Sequence, residues 1–349
     1  MKPEPFRIEP IFVPRIWGAR ALTPLFPEKT NLPEPVGEVW LTGRECRIDK
    51  EPFAGKTLGE VWSAMPADWR GSRLADVSEF PLLVKFIFPK EKLSIQVHPG
   101  DSYALTHEKN AGGRGKTEMW HAVSVEPDAQ VLVGLKPDAN KENFLQGLAR
   151  HTLEGLFAVH SVHEGDTFFV PAGTPHTIGP GWIVCEVQQY SDLTYRVYDY
   201  GRVDAHGKPR ELHIDKALDV MNFGKTRGGK TSALPLPSRE MKKSLLAACE
   251  YFATERYELI NPAQLDRDGQ HFDLLIILSG SGAIKSQKEM YPYRRGETWL
   301  IPASLNAYEL APNDPTILLR TYVPDLASLK NNLRANGFEE AVLSKTVFG

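Results

Sequence analysis

Apolar and polar positions divide this chain into many short runs. From Pro81 on, PLLVKFIF, KLSIQVH, KTEMWHAVSV, AQVLVGL, DTFFVPAG and WIVCEVQQ are rich in β-branched and aromatic residues and bounded by Gly, Pro and Asp. That is the pattern of strands joined by turns. YFATERYEL, FDLLIILSGSGAI, ETWLIPA and TILLRTYV continue it towards the C-terminus. Helical spacing is sparse, and predicts helices at Thr57–Met65, at Asn140–Arg150 (with Phe144, Leu145 and Leu148 on one face) and at Asp215–Met221. Residues 1–80 otherwise read as short extended pieces broken by Pro and Gly. The stretch 224–239, GKTRGGKTSALPLPSR, is basic and rich in Gly, Ser and Pro, and reads as a linker or exposed crossover.

Some polar residues interrupt the pattern where they are costly. Lys85 stands inside the apolar run Leu83–Ile87, a position that makes sense if its face opens into a polar cavity. Ser94, Gln96 and His98 alternate with Ile95 and Val97 and so share one strand face. Lys116 and Glu118 share a face of the next strand, with Trp120 expected in the core and His121 at a rim. His176 follows a strand in the turn PAGTPHTIG. Gln96, His98, Glu118 and His176 would together offer two imidazoles, a carboxylate and an amide oxygen, a set suited to Zn²⁺ or another divalent transition metal. His107, His151, His160 and His163 read as ordinary surface residues. Tyr195, Tyr198 and Tyr200, alternating with Arg196 and Asp199, read as an aromatic packing face rather than a sugar platform.

Composition narrows the function classes. At 349 residues the chain is long enough for two domains or one large β assembly. Lys plus Arg number 41 against 44 acidic residues, so no basic footprint for nucleic acid or an anionic membrane exists. Three scattered cysteines make neither a disulfide framework nor a thiolate zinc site. The start, MKPEPFRIEPIF, lacks a basic segment followed by an apolar one, and no long apolar run is present, so a cytoplasmic protein is expected. Finally, Gly165-Asp-Thr-Phe-Phe-Val-Pro171-Ala-Gly173-Thr-Pro-His176 aligns with Gly296-Glu-Thr-Trp-Leu-Ile-Pro302-Ala-Ser304-Leu-Asn-Ala307. This points to a duplicated β domain whose second copy has lost its histidine.

The spacing Gly-x5-Pro-x-Gly-x2-His of residues 165–176 resembles the second metal-binding motif of the cupins, although Pro180 stands where their asparagine follows. LSIQVHP, GKTEMWH, PAGTPHTIG, SDLTYRVYDYGR and RELHIDKALDV, with EVWLTG at Glu38, together resemble the short bacterial form of type I mannose-6-phosphate isomerase. The resemblance implies a mainly β bicupin, two jelly-roll barrel halves with a few helices: a catalytic domain 1–223, the crossover 224–239 and a degenerate domain 240–349. It implies a zinc-dependent aldose–ketose isomerase that interconverts mannose 6-phosphate and fructose 6-phosphate through a cis-enediol, with one Zn²⁺ per chain on Gln96, His98, Glu118 and His176. Arg196 is the implied active-site arginine. Lys85, Lys116, Ser94 and Asp192 fall on pocket positions, and Glu38 joins them. Lys85, Lys116, Asp192 and a metal-bound water all stay open as proton carriers. The implied partner is a small sugar phosphate, with no nucleic acid or membrane, for a monomer or weak homodimer. A bicupin that only binds sugar phosphates, or is specific for a different one, is the alternative.

Overall fold

The computed structural model describes residues 2–204, 206–224 and 228–349. The first jelly roll contains β1 (Leu82–Ile87), β2 (Ile95–Val97), β3 (Glu118–Val125), β4 (Gln130–Leu135), β5 (Phe157–Ser161), β6 (Thr167–Val170), β7 (His176–Ile178) and β8 (Trp182–Gln189). The second contains β9 (Ala253–Leu259), β10 (Ala263–Asp266), β11 (Asp273–Ser279), β12 (Ser281–Ser286), β13 (Glu289–Arg294), β14 (Thr298–Ile301), β15 (Ala307–Pro312) and β16 (Thr316–Tyr322). Hydrogen-bonded order is β6-β3-β8-β1 facing β2-β7-β4-β5 in the first, and β14-β11-β16-β9 facing β10-β15-β12-β13 in the second. The two orders are the same, and every pairing is antiparallel.

The aligned repeat marks equivalent corners. Gly165 and Gly296 both have a positive φ, 86° and 85°, a conformation that favours glycine. In each corner the acid that follows caps the turn: Asp166 accepts from the His163 amide, and Glu297 from the Arg294 amide.

The long apolar runs have a simple cause. The sheets β6-β3-β8-β1 and β14-β11-β16-β9 lie back to back, and their outer faces share one core. Val84, Phe86, Met119, Phe169, Cys185 and Val187 come from one sheet, and Leu274, Ile276, Leu300 and Leu319 from the other. These strands are covered on both faces, so hydrophobic residues fill both sets of alternating positions. Trp62, on the helix Leu58–Ala64, is wedged into that joint edge-on to Phe80 and Phe272. The helix starts at a capping box in which Thr57 and Glu60 satisfy each other's amides. Helices also form at Lys141–Ala149 and Ile214–Val220, as the spacing predicts.

Short strands stitch the halves together. Phe6–Ile8 adds to β14 of the second barrel. Of the 224–239 stretch, residues 225–227 lie outside the described residues; Gly229–Lys230 pairs with β6, and Leu234–Leu236 pairs with the strand Lys242–Ala248. Helices at Asp101–His107 and Leu326–Ala335 were not anticipated by the sequence pattern. His121, expected at a rim, is buried instead: it sits on the face of β3 opposite Glu118 and Trp120, with Nδ1 2.9 Å from the Thr167 hydroxyl. Tyr195 is buried and packs with Tyr198 and Tyr200 in one apolar cluster, an aromatic packing face. Among the described residues, no helix is long and apolar enough to cross a membrane.

Candidate metal centre and active-site cavity

Inside the first barrel, strand alternation brings the costly polar residues together. Lys85 on β1 faces Glu186 on β8 in direct register, and His176 on β7 faces Gln96 on β2. His98, Glu118 and His176 are buried, and their ligand atoms all lie within 4.8 Å of one another. Glu118 Oε1 is 3.6 Å from His98 Nε2 and 3.3 Å from His176 Nε2. No hydrogen-bond donor reaches that oxygen among the described residues.

Both imidazoles are oriented for the same task. His98 Nδ1 donates to the Leu193 carbonyl at 2.7 Å and His176 Nδ1 to the Thr174 carbonyl at 2.9 Å. Each ring thus keeps its proton on Nδ1 and turns the Nε2 lone pair to the centre. Burial holds both rings neutral, pushing His98 well below the usual histidine range and His176 to about 3. An orphaned carboxylate oxygen and two imidazole Nε2 lone pairs converging at this spacing fit a divalent cation. Gln96 adjoins the trio with its amide nitrogen 3.2 Å from His176 Nε2 and its oxygen 3.3 Å from the Ser94 hydroxyl. A half-turn of that amide presents oxygen to the centre instead.

A cavity of about 400 Å³ reaches the trio through Gln96 and Lys116. Lys116 Nζ lies 2.7 Å from Glu118 and 3.1 Å from His98 Nε2. Ser94, Lys85, Glu38, Asp192 and Arg196 line the same cavity, and His98, Glu118 and His176 lie behind Gln96 and Lys116. Lys85 Nζ is 3.2 Å from Asp192, 3.7 Å from Glu38 and 3.8 Å from Glu186. Burial works against the charge of both lysines, but the carboxylates outweigh it and raise both above the usual lysine value. The surrounding carboxylates thus favour the ammonium form of both. Burial likewise opposes the charge of Glu38, yet Lys85 and Arg15 hold its carboxyl down at about 2.

Sequence reasoning missed three charged lining residues, Glu186, Arg15 and Arg210. Glu186 is buried, accepts from Trp120 Nε1 at 3.0 Å and is pushed up to about 7, chiefly by burial. A signal existed, since a Glu inside WIVCEVQQ is the same anomaly as Lys85. Arg15 and Arg210 also face the cavity, and neither lies in a patterned run. Roomier clefts open elsewhere, such as one of about 720 Å³ between the N-terminal strands and the second barrel. It contains none of the clustered metal-capable residues.

The second barrel keeps the register and changes the chemistry. Through the shared pairings, Asp273 takes the place of Glu118, Asp266 that of Gln96 and Ala307 that of His176. The Lys85–Glu186 pair becomes Glu255–Arg320, with its polarity reversed. Asp273 is gripped by Arg267 at 3.0 Å and Arg320 at 2.9 Å. Two guanidinium groups supply the positive charge that this buried carboxylate requires.

Known proteins bear on both barrels. The family described as "Mannose-6-phosphate isomerase, cupin domain" matches residues 241–318, a stretch that takes in most of the second barrel. The mannose-6-phosphate isomerase ManA of Bacillus subtilis is 33% identical over 317 residues, 89% of this chain and 96% of that protein. A mannose-6-phosphate isomerase of Streptococcus mutans is 31% identical over 86% of this chain and 95% of its own length. The crystal structure of the Bacillus subtilis mannose 6-phosphate isomerase superimposes with a TM-score of 0.82 at 30% identity, covering 91% of this chain and 99% of that one. The apo form of the Salmonella typhimurium enzyme, 17% identical over 93% of this chain and all of its own, shares the fold with a TM-score of 0.69. With relatives aligned along nearly the whole chain and the barrel architecture in common, this protein belongs to the mannose-6-phosphate isomerase family.

Proposed function

We propose that this protein is a zinc-dependent isomerase that interconverts mannose 6-phosphate and fructose 6-phosphate through a cis-enediol. The observation that carries the reading is the His98–Glu118–His176 cluster, which Gln96 and Lys116 join to a cavity lined by Lys85, Arg196 and Glu186. The names of its relatives point to the same substrate.

In this reading His98, Glu118, His176 and the oxygen of Gln96 hold the zinc ion. When bound, zinc supplies a Lewis acid that polarises the sugar oxygens at C1 and C2. The chain's own groups do the rest. A proton must leave C2 and return at C1, on one face of the open-chain sugar. Glu186, poised between its protonated and ionised forms, is the carboxyl best suited to carry it. Lys85 and Lys116, held as ammonium ions, stabilise negative charge that develops on O1 and O2 and offer protons to those oxygens. Arg196 presents a guanidinium with no carboxylate partner among the described residues, available to the anionic substrate. Asp192 and Glu38 keep Lys85 in place.

The test pairs metal analysis with turnover. The purified protein should contain one zinc per chain and convert mannose 6-phosphate. Exhaustive chelation should abolish turnover, added Zn²⁺ should restore it, and Glu118→Ala should lose the metal. Undiminished turnover by metal-free protein would refute the proposal.

A further inference from the structure

The charge reversal between the barrels extends past one pair. In the first barrel the strand Val36–Trp40 sets Glu38 opposite Ile87, two residues beyond Lys85 on β1. In the second, the strand Lys242–Ala248 sets Lys243 opposite Tyr257, two residues beyond Glu255 on β9. The row Glu38–Lys85–Glu186 therefore has Lys243–Glu255–Arg320 as its counterpart, with every charge inverted. The contacts persist: Glu255 Oε2 lies 3.2 Å from Lys243 Nζ and 3.1 Å from Arg320 Nη1. A surplus of one negative charge has become a surplus of one positive charge.

Space remains beside that row. Ser238, Lys243, Tyr257, Arg267, Asp273 and Arg320 line a cavity of about 200 Å³ in the second barrel. Asp266 also lines it, at an exposed position where water screens its charge. Arg267 is committed to the chain itself: Nε faces Asp273, and its other nitrogens donate to the Pro302, Leu305 and His271 carbonyls. Glu255 also accepts from the hydroxyls of Tyr257 at 2.6 Å and Tyr322 at 3.3 Å. Lys243, by contrast, meets one carboxylate among the described residues and stays 24% exposed. Arg320 leaves its buried Nε without a hydrogen-bond partner. A barrel that had only to fold would fill such a space with apolar side chains, because buried charge is costly. Leu265, Leu275, Ile284 and Leu318 do fill the rest of this barrel. A surplus cation beside an open space calls for an anion.

We propose that the second barrel is a binding site for a small oxyanion, seated between Lys243 and Arg320. The cavity has about 200 Å³ against about 400 Å³ in the first barrel. It lies below the roughly 300 Å³ at which pockets for drug-sized ligands begin. The ligand is therefore of the size of free phosphate or a short carboxylate, not a hexose phosphate. The site is separate from the metal-capable cluster and does not rest on the isomerase reading.

Inorganic phosphate and acetate are the probes, each titrated calorimetrically into the full-length wild type and Lys243→Gln at low ionic strength. At least one of them should bind the wild type. Lys243→Gln should weaken that binding about 10- to 100-fold, since a charge-assisted contact is lost. Lys243→Arg, which keeps the charge, should restore most of it. Turnover of mannose 6-phosphate should be the same in wild type and Lys243→Gln, because Lys243 lies outside the first barrel's cavity. If Lys243→Gln does not fold, a wild-type crystal soaked in selenate carries the test. Anomalous scattering should then place selenium between Lys243 and Arg320, and selenium confined to other places contradicts the proposal. Failure of both anions to bind the wild type overturns it. So does equal affinity in wild type and Lys243→Gln, which would put the bound anion elsewhere on the protein.

Discussion

In the proposed reaction Glu186 is the residue that carries the proton. It is the cavity carboxyl that burial brings to about 7, where both protonation states are populated. Glu186→Gln keeps the shape and the Trp120 contact but removes the titrating group. It should lower kcat by about 10²- to 10⁴-fold with zinc content unchanged, as measured by steady-state kinetics and metal analysis. Glu38 makes the opposite case. Its folded value of about 2 lies below the ordinary 4.5, so its contribution is complete above that value and is lost as pH falls towards 2. The shift is worth about 3 kcal/mol. Glu38→Gln should therefore be less stable near neutrality and lose less stability on acidification, as read from urea unfolding of the metal-free protein across that range. Equal acid slopes would contradict it. Lys85 was legible because it breaks an apolar strand at a cost, Gln96, His98, Lys116 and Glu118 because they alternate on strand faces, and His176 because of the spacing of its turn. Arg15 and Arg210 were not, because only tertiary packing decides which loops meet at a barrel mouth.

At the scale of elements, strands covered on both faces explain why alternation was faint and apolar runs were long. Their register also made the duplication checkable residue by residue. The repeat seen in sequence covered one corner; the reversed Lys85–Glu186 and Glu255–Arg320 pairs emerge only from the pairing. In the second barrel Asp273→Asn removes the charge that two buried guanidinium groups share. It should cost about 3–5 kcal/mol in chemical unfolding while zinc binding in the first barrel persists. The helix Leu326–Ala335 was missed although Asp325 caps it by accepting from the Ser328 amide at 3.0 Å. The signal was one Asp three residues before a Ser, too slight beside the strand signals around it.

For the whole molecule, the joint packs the two barrels around one shared core. Their seven-stranded sheets share a core, and the N-terminal strand Phe6–Ile8 adds to the far barrel. Trp62→Ala empties a fully buried site between them and should cost about 3–5 kcal/mol. The wild type should unfold in one transition by calorimetry and by circular dichroism; two separated transitions would show that the shared core does not couple the halves. The barrel that holds the metal-capable residues carries the proposed chemistry, and the other supplies the surface on which it is braced. The most direct measurement of the central claim follows mannose 6-phosphate by NMR in D₂O, with protein first stripped of metal and then reloaded with Zn²⁺. The account predicts no change before reloading, then fructose 6-phosphate with deuterium entering at C1 and C2 alone. Conversion by the stripped protein, or conversion that never places deuterium on either carbon, would contradict it.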